Sequence, residues 1–370
     1  MFQNNITLCI LYNRMKKILK NQWKSIESPL KIYFLVIFAI GFAYQSTFAE
    51  KTMFLDYGMW ANQAKYVVES DTREFDALQA YGHPGGPIIL STIAITKIIP
   101  THDYDVALPI AIALIHVILI ALLTYVSFLL FPKHFYWKIL PIILFFHYSY
   151  RYNTPPSMII ALTIPLQCFY TLYLCKKEKL SAKDILLFSL LAGFSASTRT
   201  DIGGLMSIVM GLILIKKMSL KETGLAVILS FLTFFFLDPF MYFMPIQHIG
   251  DIFHKAFYHY KDYAHTPFQI RRLFQISTIA FSGMAITLYL IIRNKIDSFF
   301  NKKWIYTILG ITVFLYVLYL ASHYKAERYF LPLTYLWEII LLYYLDSFFS
   351  SDKRDIMIYL LLVTALFLRV

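Results

Sequence analysis

A single carboxylate, Asp56, lies a few residues beyond the end of an apolar run, in the segment KTMFLDYGMWANQAKYVV. An apolar stripe at helical spacing follows it and predicts a short amphipathic helix at a membrane surface; its members are Trp60, Ala64, Val67 and Val68. A carboxylate at that depth would be near lipid head groups and water, and partial burial would suit it to act as a general base. The alternative interpretation is that Asp56 only caps the helix.

The hexapeptide GHPGGP combines a histidine with four residues that bend the backbone. Pro84 and Pro87 fix φ and lack an amide hydrogen, whereas glycine permits sharp turns. The pattern predicts a turn that leads into a helix with proline at its start. Such a turn also exposes amides at a helix N-terminus, which favour an anion, and His83 would then contact a phosphate or a sugar hydroxyl. Both interpretations are open.

Four cations, Arg151, Arg199, Lys325 and Arg328, flank predicted membrane spans on the same side as Asp56. Snorkelling of the charged head to the interface explains any one of them. As a set, on a face otherwise poor in Arg and Lys, they favour a shared role in holding an anionic lipid head group.

The segment HYKAERYFLPLTYLWEIILLYYL carries charged residues directly into an apolar run. Pro332 is expected to kink or loosen that helix near its start. Glu327 and Arg328 either pair with each other or leave the arginine for a ligand.

The elements that hold these residues are expected to be membrane helices. The chain has 370 residues, of which 58% are hydrophobic and only 15% charged, whereas soluble domains are about a quarter charged. The net charge of +12 comes from short basic segments between apolar runs, so it indicates orientation and not a nucleic-acid partner. The 3 cysteines lack metal-ligand or C-x-x-C spacing and are interpreted as packing residues.

The fold class predicted is an all-α polytopic membrane protein with about eleven spans. Residues 1–30 form a basic cytoplasmic arm, and residues 31–370 form one transmembrane domain whose first helix is interpreted as a retained signal-anchor. The expected spans are 31–49, 106–131, 138–150, 155–175, 183–198, 202–215, 222–247, 273–293, 304–321, 329–347 and 356–370.

Basic connections alternate with these spans, which places every one of them in the cytoplasm by the positive-inside rule. Besides the N-terminal arm they are 132–138, 176–183, 216–221, 293–303 and 351–354. The stretch 87–99 cannot then be a crossing, because counting it would invert every later loop. Residues 50–105 become a long, acidic first external loop that carries interfacial helices.

The order of these features resembles the membrane-embedded glycosyltransferases of the C superfamily, closest to the protein O-mannosyltransferases and lipid A aminoarabinose transferases. Asp56 matches the early acidic residue of the family's first external loop, although Tyr57 stands where the usual second acid would be. Residues 83–87 correspond to its His-Pro motif. The late Arg-Tyr-x-x-Pro corresponds to Arg328, Tyr329 and Pro332, and Arg199 to a basic residue at the outer end of a middle span.

The resemblance implies transfer of a sugar, with inversion, from a polyprenyl-phosphate donor to a lipid, glycan or protein acceptor at the outer membrane face. Asp56 would be the general base. Donor and phosphate would be bound by His83, Arg151, Arg199, Lys325, Arg328 and Tyr329. No cofactor is implied. A divalent metal is compatible with the reaction but is not required by the sequence, because the carboxylates are not spaced as a metal cage. We expect an integral protein of the plasma or bacterial inner membrane.

Three other functions fit parts of the pattern. A lipid-linked sugar transporter or flippase would carry polar groups at mid-membrane in two related halves. Asp238, followed by Pro239 within the predicted span 222–247, is either such a group or the outer end of a shorter helix. An O-antigen polymerase or ligase, or a membrane scaffold, are the remaining alternatives.

Overall fold

The protein is helical throughout the part of the chain that its computed structural model describes, and no β-strand occurs there. The described residues are 28–51, 57–69, 85–99, 103–145, 155–250, 308, 310 and 331–348. The helices are α1 (Ser28–Lys51), α2 (Tyr57–Glu69), α3 (Gly86–Ile98), α4 (Tyr104–Leu130), α5 (Tyr136–Phe145), α6 (Pro155–Lys176), α7 (Ala182–Thr198), α8 (Leu205–Leu214), α9 (Leu220–Leu237), α10 (Phe240–Phe243) and α11 (Leu331–Phe348).

Three stretches of the described residues are long and apolar enough to cross a membrane: Tyr104–Leu130, Ile159–Lys176 and Leu220–Leu237. The helix α4 has 27 residues, which corresponds to roughly 40 Å of length against a hydrocarbon core of about 30 Å. The exposed large side chains of α9 include Leu225, Ile228 and Phe231, an apolar surface that suits hydrocarbon. The protein is therefore compatible with an integral membrane protein of the predicted all-α class.

The starts of three long helices are fixed by side-chain caps. Ser181 caps α7 and Ser219 caps α9, each in a reciprocal capping box with the acidic residue three positions later. The Asp103 carboxylate accepts hydrogen bonds from the first amides of α4. These local patterns satisfy amides that a helix start would otherwise leave unpaired.

The helix α4 lies at the centre of the packing. It contacts α6, α1, α3, α5 and α2, while α11 packs on α6 and α5. The helices α7 and α9 form an extensive pair. Close approach in that pair depends on Gly193, because a Cβ atom added there would lie 2.5 Å from both the Ser230 carbonyl oxygen and the Thr233 Cβ.

Three basic connections, 132–138, 176–183 and 216–221, meet at one end of the bundle, which we call the basic end. Lys217 Nζ donates to the Lys177 carbonyl oxygen over 2.6 Å, and Lys176 Nζ lies 5.9 Å from the centre of the Phe131 ring. Lys177 also pairs with Asp184 over 2.6 Å. The prediction that these connections share one side is thus confirmed.

Helices α1 and α11 also reach the basic end. Tyr33, near the start of α1, donates to the Lys138 carbonyl oxygen. Asp346, near the end of α11, accepts from the Phe135 amide over 2.8 Å and lies 3.0 Å from His134 Nδ1. The long helices that begin or end here have their other termini at the opposite end of the bundle, which we call the turn end.

Helices form at both positions where the sequence predicts interfacial helices, and they are α2 and α3. With 13 residues, α3 is roughly 20 Å long and too short to cross the bilayer. The buried face of α2 holds Trp60 and Ala64 as the sequence predicts, and it packs on α3 and α4. Val68, the last member of that stripe, is 42% exposed in the last turn of α2.

One predicted span is shorter than expected. The run 222–247 ends at Leu237, and Asp238 adopts an extended conformation with φ −106° and ψ 101°. Proline at 239 disfavours the helical conformation for the residue before it. Asp238 is therefore the C-terminal cap of α9 and lies at the turn end, which resolves the alternative left open for it.

Candidate functional site

A two-glycine turn joins three helices at the turn end. The Gly85 amide donates a hydrogen bond over 3.2 Å to the carbonyl oxygen of Thr198, the last residue of α7. Gly86 begins α3 and touches the end of α9. A Cβ atom added at Gly86 would collide with the Leu237 carbonyl oxygen and lie 3.0 Å from the Asp238 Cα atom. The turn therefore holds the ends of α7 and α9 against the start of α3.

The conformation of Gly85 explains why glycine occupies this position. Its φ of 57° lies in the left-handed region, which glycine adopts without the steric cost of a side chain. A Cβ atom on Gly85 would also overlap the indole ring of Trp60, which is buried in α2. The helix that directly follows Asp56 in the sequence is thus anchored on this turn.

Three amides on either side of Gly86 are engaged within the protein. Besides the bond from Gly85 to Thr198, Ile88 and Ile89 both donate to the Gly85 carbonyl oxygen, over 2.9 and 3.1 Å. Pro87 has no amide hydrogen. The described part of the turn therefore favours the interpretation as a packing joint over that of a backbone anion site. An anion bound at this end has to be held mainly by side chains.

Arg199 lies directly beyond the residue that receives the turn's hydrogen bond. Its backbone is extended, with φ −155° and ψ 101°, and breaks the helical path between α7 and a π-helical turn, Thr200–Gly204. The residue is only 1% exposed. A guanidinium keeps its charge when buried and requires hydrogen-bonding or anionic partners there. This combination of a buried cation and a π-turn is typical of a functional position.

A buried acid–histidine pair occupies the end of α9. Asp238 is fully buried, and its Oδ1 accepts a hydrogen bond from the Phe240 amide over 3.1 Å. Its Oδ2 lies 2.7 Å from Nε2 of His248, which is 4% exposed. The glycine turn contacts the carbonyl groups of Thr198 and Leu237, which are the last residues of α7 and α9. The next residue in each case is a buried charged or acidic one, Arg199 after α7 and Asp238 after α9.

Sequence reasoning identified these residues unevenly. Arg199 was predicted as a binding residue, and Asp238 was noted only as an exception to the transporter argument. His248 was not singled out, because no motif spacing connects it with Asp238. The Asp-Pro pair at the end of an apolar run, with a histidine in the following segment, was the available signal.

The other predicted site residues, Asp56, His83, Arg151, Lys325, Arg328 and Tyr329, lie outside the described residues. In the sequence, Asp56 immediately precedes α2 and His83 precedes Gly85 by two positions. Both are therefore sequence neighbours of elements that meet at the turn. Within the described ranges, no group of three or more His, Cys, Asp or Glu side chains is arranged to hold a metal ion.

Comparison with known proteins identifies no relative for this chain. No protein family, curated protein or solved structure matches it. The chemistry of the turn end is accordingly the basis for assigning a function.

Proposed function

We propose that this protein is an integral membrane glycosyltransferase that moves a sugar from a polyprenyl-phosphate donor to an acceptor at the outer membrane face. The observation that carries the proposal is the joint at Gly85 and Gly86. It brings the helix after Asp56, the segment after His83 and the buried Arg199 to one end of the bundle, opposite the basic connections.

This arrangement suits a donor whose phosphate stays at the bilayer surface while its lipid chain enters the hydrocarbon. Helix α3 lies beside the ends of α7 and α9 at the turn end, and α2 packs on α3. A lipid phosphate at that depth needs cations near a helix border and not a soluble nucleotide-binding domain. The buried guanidinium of Arg199 satisfies that requirement.

The reaction is a direct displacement at the anomeric carbon. The acceptor oxygen or nitrogen forms a bond to that carbon from one face as the bond to the phosphate oxygen breaks on the other, which inverts the configuration. The electron pair of the broken bond stays on the phosphate oxygen, and the proton of the acceptor goes to the Asp56 carboxylate. A positioned base of this kind contributes about 10²–10⁴ in rate.

The cations stabilise the leaving phosphate as its charge grows. Arg199, Lys325 and Arg328 share this role, because charge that develops in a water-poor site is best stabilised by preorganised donors. Arg151 and Tyr329 contact the donor, and His83 positions its phosphate. Positioning of the two reactants lowers the barrier without any cofactor.

The proposed membrane arrangement has about eleven spans. The basic end faces the cytoplasm, together with residues 1–30, and residues 50–105 form the first external loop on the face of the active site. This orientation follows the positive-inside rule. It fits the plasma membrane or a bacterial inner membrane, where polyprenyl-phosphate sugars are presented to lipid, glycan or protein acceptors.

The deciding experiment measures release of polyprenyl phosphate from a panel of polyprenyl-phosphate sugars by purified protein in nanodiscs. We expect Asp56→Asn to reduce release by about 10²–10⁴-fold. Asp103→Asn is the matched control. It changes another acid of the same predicted loop and keeps a side chain that can cap α4, so it should retain wild-type release.

Full activity of Asp56→Asn would remove Asp56 from its role. Absence of release with every donor would refute the enzyme and favour a transporter or a scaffold. The position of Asp238 weakens the transporter alternative, because the acid caps the end of α9 and does not lie within that helix.

A further inference from the structure

The Asp238–His248 pair has one polar atom that the described part of the chain leaves unused. Nδ1 of His248 is buried and has no hydrogen-bond partner among the described residues, while Nε2 is held at 2.7 Å by the Asp238 carboxylate. A buried ring nitrogen without a partner costs the free energy of removing it from water. Native proteins rarely retain such a group without a ligand, water or function to account for it.

The carboxylate determines what that nitrogen can do. With Asp238 accepting from Nε2–H, the ring is fixed in orientation and Nδ1 is the atom left to meet a ligand. A protonated ring would donate from both nitrogens, and the carboxylate beside it balances its charge so that the pair can remain buried. The pair is then a neutral unit with one directed N–H, which suits an anionic oxygen.

The surroundings favour a phosphate as the ligand. The pair lies at the end of α9, on one side of the glycine turn, and buried Arg199 follows the end of α7 on the other. The Gly85, Ile88 and Ile89 amides are engaged within the protein, so an anion here needs side-chain ligands. Imidazolium and guanidinium both form strong, charge-assisted hydrogen bonds to phosphate oxygens.

We infer that His248, oriented by Asp238, is a ligand of the lipid phosphate, with Nδ1–H donating to a phosphate oxygen. This inference rests on the proposed function for the identity of the lipid. The phosphate binding itself does not require turnover and is measured separately.

Two variants, His248→Gln and Asp238→Asn, and one control variant, His134→Gln, test the inference. His248→Gln keeps an N–H group that can bind Asp238 and removes the atom equivalent to Nδ1. The control is His134→Gln, because His134 also pairs with an aspartate, Asp346, but at the basic end and in a half-buried position. Asp238→Asn keeps an acceptor for Nε2 and removes the charge that supports the protonated ring.

The probe is radiolabelled farnesyl phosphate, whose binding to the full chain in detergent is measured by scintillation proximity. We expect His248→Gln to weaken binding by about 10- to 100-fold, the effect of losing one charge-assisted hydrogen bond, and Asp238→Asn to weaken it in the same direction. His134→Gln should bind like the wild type. Equal binding by His248→Gln and the wild type, or equal weakening by His134→Gln, overturns the inference.

Two further ligands separate the source of the phosphate. Farnesol that binds in a His248-dependent manner would show that a hydroxyl is the ligand and would refute the phosphate. If inorganic phosphate displaces the probe with the same affinity as farnesyl phosphate, the site binds free phosphate, and the proposal of a lipid phosphate is refuted. We expect neither.

A spectroscopic measurement covers the case in which His248→Gln does not fold. With ¹⁵N-labelled histidine, we expect one Nδ1 resonance of the wild type to shift when farnesyl phosphate is added. This resonance is assigned to His248 by its absence from a His248 variant that folds. If no such variant folds, it is assigned by its loss of response in Asp238→Asn. No shifting histidine resonance overturns the inference. Binding without sugar transfer would leave the inference standing and refute the enzyme, whereas transfer without His248-dependent binding would do the reverse.

Discussion

The Gly85 amide donates a hydrogen bond to the carbonyl oxygen of Thr198 over 3.2 Å. This bond ties the segment after His83 to the helix end before Arg199, residues far apart in the sequence. With Gly86 packed on the end of α9 in the next position, it makes the two-glycine turn a joint between helices. Substitutions in this joint and in the helices that pack around it have predictable effects on stability and activity.

Gly86→Ala is expected to destabilise the protein by about 1–3 kcal/mol, since the added Cβ atom collides with a backbone carbonyl that cannot move freely. The measurement is thermal unfolding in detergent. Gly211→Ala is the control, because a Cβ atom there meets nothing within 4 Å and the change in a helix should stabilise by roughly 0.5–1 kcal/mol. Equal stability of the two variants would contradict the joint.

Gly193→Ala tests the contact between α7 and α9. The new methyl group would lie 2.5 Å from both the Ser230 carbonyl oxygen and the Thr233 Cβ, so the helices must separate at a cost of about 1–3 kcal/mol. Gly224→Ala, in α9 with open space around it, should not lose stability. A wild-type unfolding temperature for Gly193→Ala would show that the helices are not in contact there.

Arg199→Lys is expected to lower kcat for sugar transfer by about 10²-fold with a smaller change in KM, because a lysine cannot reproduce the planar fork of donors at a buried site. Steady-state kinetics with the active polyprenyl-phosphate sugar provide the measurement. Lys217→Gln, a cation at the basic end, is the control and should retain kcat. Unchanged kcat in Arg199→Lys would exclude the arginine from the phosphate site.

The orientation of the two ends can be measured by cysteine labelling. In a chain with Cys9, Cys168 and Cys175 replaced by alanine, a cysteine at exposed Asp105 should react with a membrane-impermeant maleimide in intact cells. A cysteine at exposed Lys179, in the basic connection after α6, should react only after permeabilisation. The opposite pattern would reverse the proposed membrane orientation.

The pair between Lys177 and Asp184 predicts a pH dependence of stability. Burial lowers the pKa of Lys177, but the hydrogen bond to Asp184 and the charges of Tyr173 and Asp184 together outweigh burial and raise that pKa above the ordinary 10.5. Asp184→Asn should therefore cost about 1 kcal/mol, allowing for partial exposure and the loss of the capping box.

The difference between wild type and Asp184→Asn should be constant from neutral pH to pH 10.5 and shrink as pH rises through the higher folded pKa of Lys177. Chemical unfolding of both proteins across that range measures it. A gap that grows with pH would contradict the assigned ion pair. Lys183→Gln, at an exposed neighbouring position, serves as the control and should show no such pH-dependent gap.

Local signals in the sequence were sufficient for much of the helical framework. The capping boxes begun by Ser181 and Ser219 mark the starts of α7 and α9, and apolar length marks α4. Charge in the connections predicted which loops share the basic end, and Lys217 bonded to Lys177 confirms two of them as neighbours. These features are readable because each depends on residues close together in the chain.

The sequence pattern predicted less well where a helix ends and which of its apolar residues are buried. The run 222–247 is apolar enough to continue, yet α9 ends at Leu237 because proline follows Asp238. Val68 fits the apolar stripe of α2 by spacing but lies exposed, since periodicity does not reveal how far a packing partner extends.

The sequence by itself determined a helical, membrane-compatible chain with basic connections on one side and a turn at GHPGGP. Only the tertiary structure decided that this turn packs between the ends of α7 and α9, and that His248 meets Asp238 there. The physical reason is that helix formation and charge segregation follow from local composition. Contacts between distant residues arise only when whole helices pack, and one sequence does not specify which faces then meet.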